Sequence, residues 1–566
     1  MFRFSRLFIY FLLCTLATIS ACKCQRKPSK VNVKTEEDAK KFFTKFLQTT
    51  IDTTDFLNDS LLRVFYIQKE WGPVWTNDTL LNAQGDELLK ILLNVRAEGL
   101  NPEDYHNQEL ITLYQSQKEN KKAERGIQIA ALAKLDAVMS DAYFQLAQDI
   151  FYGTAKPRDN DSLWVAVYEK PKLDFILHLN DGLQQGGVAK SIWDLEPEHQ
   201  SYHNLKKMLA YYLSLKDSVV YPMVKDGPKL KKDTTCERVM EVRARLLATN
   251  ELEYDSTIKQ DYFDETLFEA VKIFQRKNGL FIDGIVGKST VKALNRSVED
   301  YIQIISANME RWRWMPADIA EDTCIWINLA GYTLDVLEKG KSVMNMKIVC
   351  GKKERKTPVL NSAINQITLN PDWTVPPTIL KNDAWPQLMK DPKAYLEKKF
   401  FKIYRKDGTE VHPDSVNWKK YSPQTFPYKL REAPSEDNTL GQVKFSFPNP
   451  FTVYMHDTHE KNKFNSAERA FSSGCVRVQR PIDLLYYFFA DTTKYPRAEI
   501  DSVLASDVKT RFTLKKPVEL NILYFTAWVD TAGIFQVRND VYKKDSLLLT
   551  LMGLLKEETD KIISTK

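Results

Sequence analysis

The residues with the strongest chemical signal are a histidine and a cysteine in the last third of the chain. They lie in the segment YMHDTHEKNKFNSAERAFSSGCVRVQRP, which runs from Tyr454 to Pro481. A strand here would project Tyr454 and His456 from one face, because successive side chains of a strand alternate. Cys475 follows after a polar loop, and Gly474 before it allows a sharp backbone turn. A thiol close to an imidazole combines a nucleophile with its base, so the segment predicts acyl transfer through Cys475.

Two other interpretations of this segment stay open on sequence alone. Cysteine is often a small buried apolar residue, and a strand histidine often only completes a hydrogen bond, so a structural role is the alternative for both. His459, in the loop after His456, is a rival base. What orients the His456 ring is also open, since the adjacent Asp457 side chain would point to the other face of a strand and a backbone carbonyl is an equal candidate.

The domain that must position these residues is predicted to be mostly β and to span residues 298–541. Alternating apolar residues between 332 and 348, divided by Glu338-Lys339-Gly340-Lys341, predict a β-hairpin. A polar stretch rich in aromatic residues and lysine, about 378–435, interrupts the β pattern and is predicted to be an insertion. The β pattern resumes at Val443, and residues 542–566 are predicted to form a C-terminal helix.

Residues 36–235 upstream are predicted to be a helical scaffold domain, because apolar residues recur at three- and four-residue spacing. No catalytic constellation is visible there. The pattern sharpens in residues 236–297, where three short helices are predicted and Asp264 is placed to cap the second. Glycines follow where tight turns between these helices are needed. The chain is therefore predicted to be an α+β multidomain protein.

The N-terminus has the pattern of a secretory signal. Arg3 and Arg6 precede an uncharged apolar run that ends at Ile19-Ser20-Ala21-Cys22. This end resembles a bacterial lipobox, so residues 1–21 are predicted to be a lipoprotein signal peptide and Cys22 the lipidation site. An uncleaved membrane anchor is the alternative. Residues 22–35 are polar and basic and are predicted to be a tether.

Composition excludes several other classes of function. A net charge of +6, from 80 basic and 74 acidic side chains, is too small and scattered for a nucleic-acid-binding protein. The seven cysteines form neither a disulfide ladder nor a zinc-type pair, so no metal and no cofactor are predicted. Gly287-Lys288-Ser289 resembles the end of a phosphate-binding loop, but the glycine that this motif requires upstream is absent, which excludes nucleotide binding here.

The motifs resemble those of a known enzyme family. His456-Asp457-Thr458 followed by Ser472-Ser473-Gly474-Cys475-Val476-Arg477 is similar to the signature of L,D-transpeptidases with a YkuD-type catalytic domain. Residues 236–297 resemble the three-helix peptidoglycan-binding module. The order of domains and four further segments resemble the large YcbB-like branch: Asn308 to Trp314, Asn370 to Pro377, Asn438 to Gly441 with Lys444-Phe445, and Tyr524 to Trp528.

The resemblance implies a role for each site residue. Cys475 would be the nucleophile and His456 the base, and Trp373 would line the substrate groove under an insertion that acts as a lid. The oxyanion and substrate would be surrounded by Tyr454, Ser473, Gly474, the Cys475 backbone and Arg477. Arg477 would organise the loop or meet a substrate carboxylate. Ser473 stands where smaller YkuD-type enzymes usually have histidine. This difference puts a catalytic role for a second histidine in doubt and leaves the assignment of His456 unchanged.

The implied reaction is cross-linking of peptidoglycan stem peptides without a cofactor. Cys475 would attack the carbonyl of the third residue of a tetrapeptide stem, release the terminal D-alanine, and pass the acyl group to the side-chain amine of a neighbouring stem in a 3→3 link. Water or a free D-amino acid as acceptor stays open. The alternatives are an L,D-carboxypeptidase and a non-catalytic peptidoglycan-binding scaffold.

The expected setting follows from the signal and the resemblance. The protein is predicted to be a monomer in the periplasm of a Gram-negative-type envelope, held to a membrane by its N-terminal lipid. Its predicted partners are donor and acceptor stem peptides and cell-wall synthases, with no nucleic acid. Whether the lipid lies in the inner or the outer membrane, and whether the binding module holds glycan, are not determined by the sequence.

Overall fold

The structure is a computed structural model that describes residues 33, 35–77, 79–119, 124–155, 168–319, 322–490 and 495–555. The chain divides into two compact units. The first comprises the described parts of Met1–Asn94, Pro102–Ala147 and Leu173–Asp194, and the second comprises those of Val95–Asn101, Gln148–Lys172 and Leu195–Lys566. The helical stretch 36–235 is therefore shared between two units.

The first unit is helical, as the three- and four-residue spacing predicted. Its helices are α1 (Glu36–Thr53), α2 (Asp59–Gln68), α3 (Ala83–Leu93), α4 (Asn107–Glu119), most of α5 (Arg125–Tyr152), α6 (Phe175–Gln185) and α7 (Val188–Trp193). Its core contains the buried carboxylate of Asp136, which accepts hydrogen bonds from the Tyr66 hydroxyl at 2.7 Å and from the Trp75 and Thr76 N–H groups at 2.9 Å. These hydrogen bonds offset the free-energy cost of burying the carboxylate.

The second unit begins its regular structure with helices. They are α8 (Gln200–Leu215), α9 (Glu237–Ala248), α10 (Glu265–Lys277), α11 (Lys288–Leu294) and α12 (Val298–Arg313). Helices α9 to α11 form the predicted small module around their own apolar core. The predicted cap of α10 is present, since the Asp264 side chain accepts from the Leu267 N–H. Arg538 donates to the Lys277 carbonyl at 3.0 Å, which joins the module to the strands that follow.

The centre of the second unit is a nine-stranded sheet with the order β11-β3-β12-β10-β9-β4-β13-β1-β2. The strands of the chain are β1 (Cys324–Asn328), β2 (Thr333–Glu338), β3 (Lys341–Gly351), β4 (Leu360–Leu369), β5 (Trp373–Thr374), β6 (Phe401–Tyr404), β7 (Glu410–Val411), β8 (Lys429–Glu432), β9 (Val443–Ser446), β10 (Met455–His456), β11 (Ala470–Ser472), β12 (Val476–Val478), β13 (Thr510–Leu523), β14 (Ala527–Val529) and β15 (Phe535–Val537). Because β2 also pairs with β3, the sheet closes on itself.

The hairpin predicted from period-two alternation is present as β2 and β3. Leu334 pairs with Met346 and Val336 with Met344, in the antiparallel register that the apolar pattern requires. Lys339 and Gly340 join the strands with positive φ angles of 49° and 73°. Positive φ at both turn residues is the requirement of a tight hairpin whose twist matches its strands.

The insertion forms a small subdomain. Strands β5 to β8 make a separate four-stranded sheet, and the short helices α13 (Pro377–Ile379), α14 (Trp385–Leu388) and α15 (Pro392–Lys398) lie between its strands. Its apolar side chains form a cluster of their own. The sheet begins at Trp373, a little before the expected start near 378, because Trp373 and Thr374 pair with Glu432 and Arg431 of β8.

Three helices in the C-terminal region differ from expectation. Helices α16 (Pro481–Phe489) and α17 (Arg497–Ala505) interrupt the β pattern predicted for 443–541. The first reads PIDLLYYFF, and a short apolar run of this kind fits a buried strand as well as a helix. The C-terminal helix α18 spans Lys544–Leu551 rather than all of 542–566, because the chain turns at Gly553 with φ 65°. Residues 556–566 lie outside the described residues.

Candidate active site

The candidate site is built on the parallel pair of strands β10 and β12. Met455 pairs with Val476 and His456 with Arg477, and the Val476 N–H donates to the Tyr454 carbonyl at 3.0 Å. Paired residues of neighbouring strands point to the same face, and so do alternate residues of one strand. This register therefore places the side chains of Tyr454, His456, Cys475 and Arg477 on one face of the sheet. All four line the same cavity of about 1010 Å³.

Cys475 is partly exposed to this cavity and is one of the free cysteines of the described residues. Burial raises the pKa of its thiol above the ordinary value. The nearby Tyr454 N–H and hydroxyl lower the pKa of the thiol, as do the charges of Lys444 and Arg477. The thiol is therefore protonated near neutral pH, with donors already in place that would stabilise the thiolate.

His456 is buried, with only 4% of the residue exposed. Its Nδ1 lies 2.5 Å from the Asp457 carbonyl oxygen. A carbonyl only accepts, so Nδ1 carries the proton and Nε2 keeps its lone pair. Burial, followed by the positive charge of Arg477, lowers the pKa of His456 to about 3. The imidazole is thus a neutral base with one nitrogen available. Of the two groups considered for orienting the ring, the structure shows a backbone carbonyl, that of Asp457.

The Asp457 carboxylate faces away from the imidazole. It accepts from the Thr458 N–H at 2.7 Å and from the Gln442 N–H at 3.0 Å, and it pairs with Lys461. A carboxylate held by these donors fixes the loop after β10 instead of acting on the ring.

Tyr454 connects several side chains around the sulfur. Burial raises the pKa of its hydroxyl well above the ordinary value, with the neighbouring Cys475 acting in the same direction and Trp373 lowering it. The Lys444 ammonium lies 3.9 Å from the centre of the Tyr454 ring, within the range of a cation–π contact. Lys444 pairs with His456 across β9 and β10. Sequence reasoning assigned no role to Lys444, because only this long-range pairing brings it to the site.

The turn before Cys475 needs its glycine, since Gly474 has φ 121°. The Gly474 N–H donates to Ser472 Oγ at 3.1 Å, and Ser472 Oγ donates to the Cys475 carbonyl at 2.6 Å. The Gly474 N–H is thus occupied inside the turn. No hydrogen bond is formed by the Cys475 N–H within the described part of the chain.

Ser473 and Arg477 have protein partners in the structure. Arg355 Nη1 donates to Ser473 Oγ at 2.9 Å, and Arg355 also makes a two-point ion pair with Asp383 of the insertion, at 2.5 and 2.9 Å. Arg477 pairs with Glu460 in the loop after β10. Of the two roles expected for Arg477, the geometry favours organising that loop.

The insertion forms one side of the cavity, as expected of a lid. Trp373, assigned to the groove on sequence, lines the cavity and is 8% exposed. The other lining residues from the insertion and its flanks are Val375, Pro376, Thr378, Ile379, Asp383, Ala384, Gln387, Tyr395, Lys399, Phe401 and Glu432. The rival base His459 also lines the cavity, and its Nδ1 lies 3.3 Å from the Asn438 carbonyl oxygen.

Three family models match along the chain. Residues 60–209 match a scaffold domain, residues 237–294 the "Putative peptidoglycan binding domain", and residues 322–494 the L,D-transpeptidase catalytic domain named YkuD. The chain carries a YkuD L,D-transpeptidase catalytic domain. That domain contains the whole β10–β12 site, and the α+β multidomain organisation predicted from the sequence is confirmed. Membership of the YcbB-like branch stays a prediction.

Curated relatives of this transpeptidase-domain protein cover parts of it. A "Putative L,D-transpeptidase" of Haemophilus influenzae is 30% identical over 243 residues, which are 43% of this chain and 48% of that protein. The N-acetylmuramoyl-L-alanine amidase CwlM of Mycobacterium tuberculosis is 34% identical over 83 residues, which are 13% of this chain and 20% of that protein. The chain thus spans about half the length of the first relative and a fifth of the second.

Solved structures of L,D-transpeptidases are also similar, at low identity. That of the enzyme from Xylanimonas cellulosilytica is 13% identical, covers 53% of this chain and 99% of its own, and has a TM-score of 0.18. That of the enzyme from Stackebrandtia nassauensis is 13% identical, covers 53% and 96%, and has a TM-score of 0.20.

Two kinds of feature are absent from the described residues. They contain no group of three or more His, Cys, Asp or Glu side chains that could hold a metal ion. Within the same residues, no helix combines the length and the apolar character that crossing a membrane requires. The predicted lipidation site, Cys22, lies outside the described residues.

Proposed function

We propose that this protein is a peptidoglycan L,D-transpeptidase that forms 3→3 cross-links through an acyl-enzyme on Cys475. The observation that carries the proposal is the common face of β10 and β12, where Tyr454, His456, Cys475 and Arg477 line one cavity. The match of residues 322–494 to the L,D-transpeptidase catalytic domain supports the reaction class. The donor is a tetrapeptide stem and the acceptor is the side-chain amine of a neighbouring stem.

In the acylation step, Cys475 Sγ attacks the carbonyl of the third stem residue. Because the thiol and the imidazole are both neutral at rest, the proton moves from Sγ to His456 Nε2 as the C–S bond forms. The proposed donors to the oxyanion are the Cys475 N–H, which has no acceptor among the described residues, and the Tyr454 hydroxyl. His456 then gives its proton to the departing amine as the C–N bond breaks, and D-alanine leaves.

In the second step the thioester passes to the acceptor. The amine attacks the thioester carbonyl and His456 takes a proton from the amine; as the C–S bond breaks, His456 gives that proton to the departing sulfur, which restores the thiol. The product is an amide between the two stems. Water in place of the amine would give the tripeptide, and a D-amino acid would give an exchanged tetrapeptide.

The experiment that tests the proposal is product analysis of the purified protein with a disaccharide-tetrapeptide. The expected product is a dimer with the mass of two monomers less one D-alanine. A disaccharide-tripeptide alone is the control, because it has no D-alanine to release and should give no dimer. Tripeptide without dimer would identify a carboxypeptidase, and unchanged tetrapeptide would contradict the proposed function.

We further infer that the protein works in the periplasm, anchored by lipid on Cys22 and associated with peptidoglycan and its synthases. The basic start and lipobox-like end of residues 1–22 support this location. The match of residues 237–294 to a peptidoglycan-binding family supports the association with the wall. Labelling with a radioactive or alkyne-tagged fatty acid should mark the wild-type protein but not Cys22→Ala.

The insertion should contribute to substrate binding through its ion pair with the catalytic domain. Arg355→Gln is expected to raise KM for the tetrapeptide about 5-fold with little change in kcat, since a partly exposed ion pair contributes only about 1 kcal/mol. Arg355 is 13% exposed and Asp383 42%. Lys402→Gln breaks an exposed pair with Glu410 in the same subdomain and is the matched control. Equal kinetics for both variants would show that the Arg355 pair has no such role.

Carbapenem-type β-lactams should acylate Cys475, because their strained carbonyl presents the same target as the stem peptide. Attack opens the lactam ring without a leaving group, so the protein mass should rise by the mass of the intact compound. Intact-protein mass spectrometry should show one such adduct on the wild type and none on Cys475→Ala. An adduct on the variant would place the reaction at another residue.

A further inference from the structure

The peptide unit between Gly474 and Cys475 is held by a residue from a different part of the sheet. Thr357, in the loop between β3 and β4, is fully buried, and its hydroxyl donates to the Gly474 carbonyl at 2.8 Å. The same oxygen accepts from the Gly351 N–H at 2.8 Å. Since Gly474 offers only an acceptor and Gly351 only a donor, the direction of the Thr357 proton is fixed by its partners.

Thr357 is itself anchored on both sides. Its N–H donates to the Tyr542 hydroxyl at 3.3 Å, and that hydroxyl donates to the Gly351 carbonyl at 2.5 Å. The Thr357 side chain therefore has little freedom to follow a movement of Gly474. Tyr542 follows β15 and is fully buried, so the support comes from three separate segments of the fold.

The hydrogen bonds of the turn before Cys475 involve all but one of the polar backbone groups of Gly474 and Cys475. The Gly474 N–H and the Cys475 carbonyl are both bonded to Ser472, and the Gly474 carbonyl is bonded to Thr357. The Cys475 N–H has no acceptor among the described residues. In a trans peptide the C=O and N–H point in opposite directions, so fixing the Gly474 carbonyl on Thr357 turns the Cys475 N–H away from it.

We propose that Thr357 is a positioning residue that holds the Cys475 N–H as an oxyanion donor. The inference rests on the proposed function, since it names the support of that site's donor. Thr357 lines the cavity, but its hydroxyl is engaged by the Gly474 carbonyl and the Gly351 N–H. It acts by preventing rotation of the Gly474–Cys475 peptide, which would otherwise be possible because glycine on one side has wide conformational freedom. A donor fixed before the reaction costs no reorganisation when negative charge develops.

Comparing two reactions of the Cys475 sulfur distinguishes positioning of the oxyanion donor from general support of the fold. Acylation by the tetrapeptide develops an oxyanion, whereas alkylation by iodoacetamide does not. Thr357→Val should lower kcat for D-alanine release about 100-fold, as loss of one oxyanion donor does, with KM and the alkylation rate within about 3-fold. Thr357→Ser keeps the hydroxyl and should restore most of kcat.

A matched control is Thr526→Val, which removes another buried threonine hydroxyl, the one that donates to Asp545 at 2.7 Å away from the cavity. It should change neither rate. If Thr357→Val does not fold, Tyr542→Phe removes the anchor of Thr357 and should lower kcat about 5-fold without changing alkylation. Wild-type kcat in either folded variant, or equal loss of acylation and alkylation, would overturn the inference. Failure of the wild type to release D-alanine would instead overturn the proposed function.

Discussion

Replacing Cys475 by alanine should abolish release of D-alanine and formation of the dimer, with a fall of more than about 10⁴-fold in rate, as when other nucleophiles are removed. No other sulfur can substitute for it in the described structure. Cys324 and Cys350 are fully buried, and burial raises the pKa of each thiol to about 12, while Cys236 lies in the small helical module. The rate is measured as D-alanine released from the disaccharide-tetrapeptide.

Cys236→Ala is the matched control for this variant. It removes a partly exposed cysteine that does not line the cavity, and it should retain the wild-type rate. Substantial D-alanine release by Cys475→Ala would exclude a cysteine acyl-enzyme at this position. Loss of activity in Cys236→Ala would point to a defect that has nothing to do with the proposed nucleophile.

Replacing His456 by glutamine should lower the acylation rate by about 10²- to 10⁴-fold at pH 7, the usual contribution of a general base. The reason is that burial raises the pKa of the Cys475 thiol, so little thiolate exists unless a base takes the proton during attack. The rate of His456→Gln should then climb as pH increases, since hydroxide replaces the missing base. The corresponding measurement is a pH–rate profile of D-alanine release.

His459→Gln tests the rival base in the same cavity. His459 contacts the Asn438 carbonyl, and no hydrogen bond connects it with Cys475 within the described residues. The His459→Gln variant should release D-alanine at a rate within about 3-fold of the wild type, because a residue that only lines the substrate cavity contributes less than the base itself. A large loss in His459→Gln together with normal activity in His456→Gln would reverse the assignment.

The lowered pKa of His456 also predicts how stability depends on pH. The folded imidazole has a pKa of about 3, whereas an unfolded histidine titrates near 6.5, so the unfolded chain binds more protons between these values. The stabilisation is present above pH 6.5 and is lost as pH falls towards 3. From pH 7 to pH 5 the loss from this group should be about 2 kcal/mol in the wild type and absent in His456→Gln.

Urea unfolding of the wild type and His456→Gln at pH 7 and pH 5 measures this difference. An equal change in the unfolding midpoint for both proteins would show that His456 is not a buried neutral base. The same low pKa predicts that wild-type acylation keeps its rate at pH 5, where an imidazole with an ordinary pKa would be mostly protonated.

Local patterns in the sequence were enough to predict several elements of the fold and two residues of the site. Alternation in residues 332–348 specified the β2–β3 hairpin and its register, because a slip by one residue would expose the whole apolar face. Asp264 and the following apolar stripe specified the second helix of the small module. His456 and the Gly474-Cys475 pair were recognisable as a base and a nucleophile because residue types and a flexible turn suffice to suggest that chemistry.

The assembly of the site depends on contacts between segments that are distant in the sequence. The parallel pairing of β10 with β12, which puts His456 and Cys475 on one face, joins segments separated by a loop whose path no local pattern encodes. Lys444 and Thr357 reach the site through such long-range contacts. The Gly474 N–H donates to Ser472, a partner that no local pattern specified, because the hydrogen bonds of a turn are formed only when the whole turn has folded.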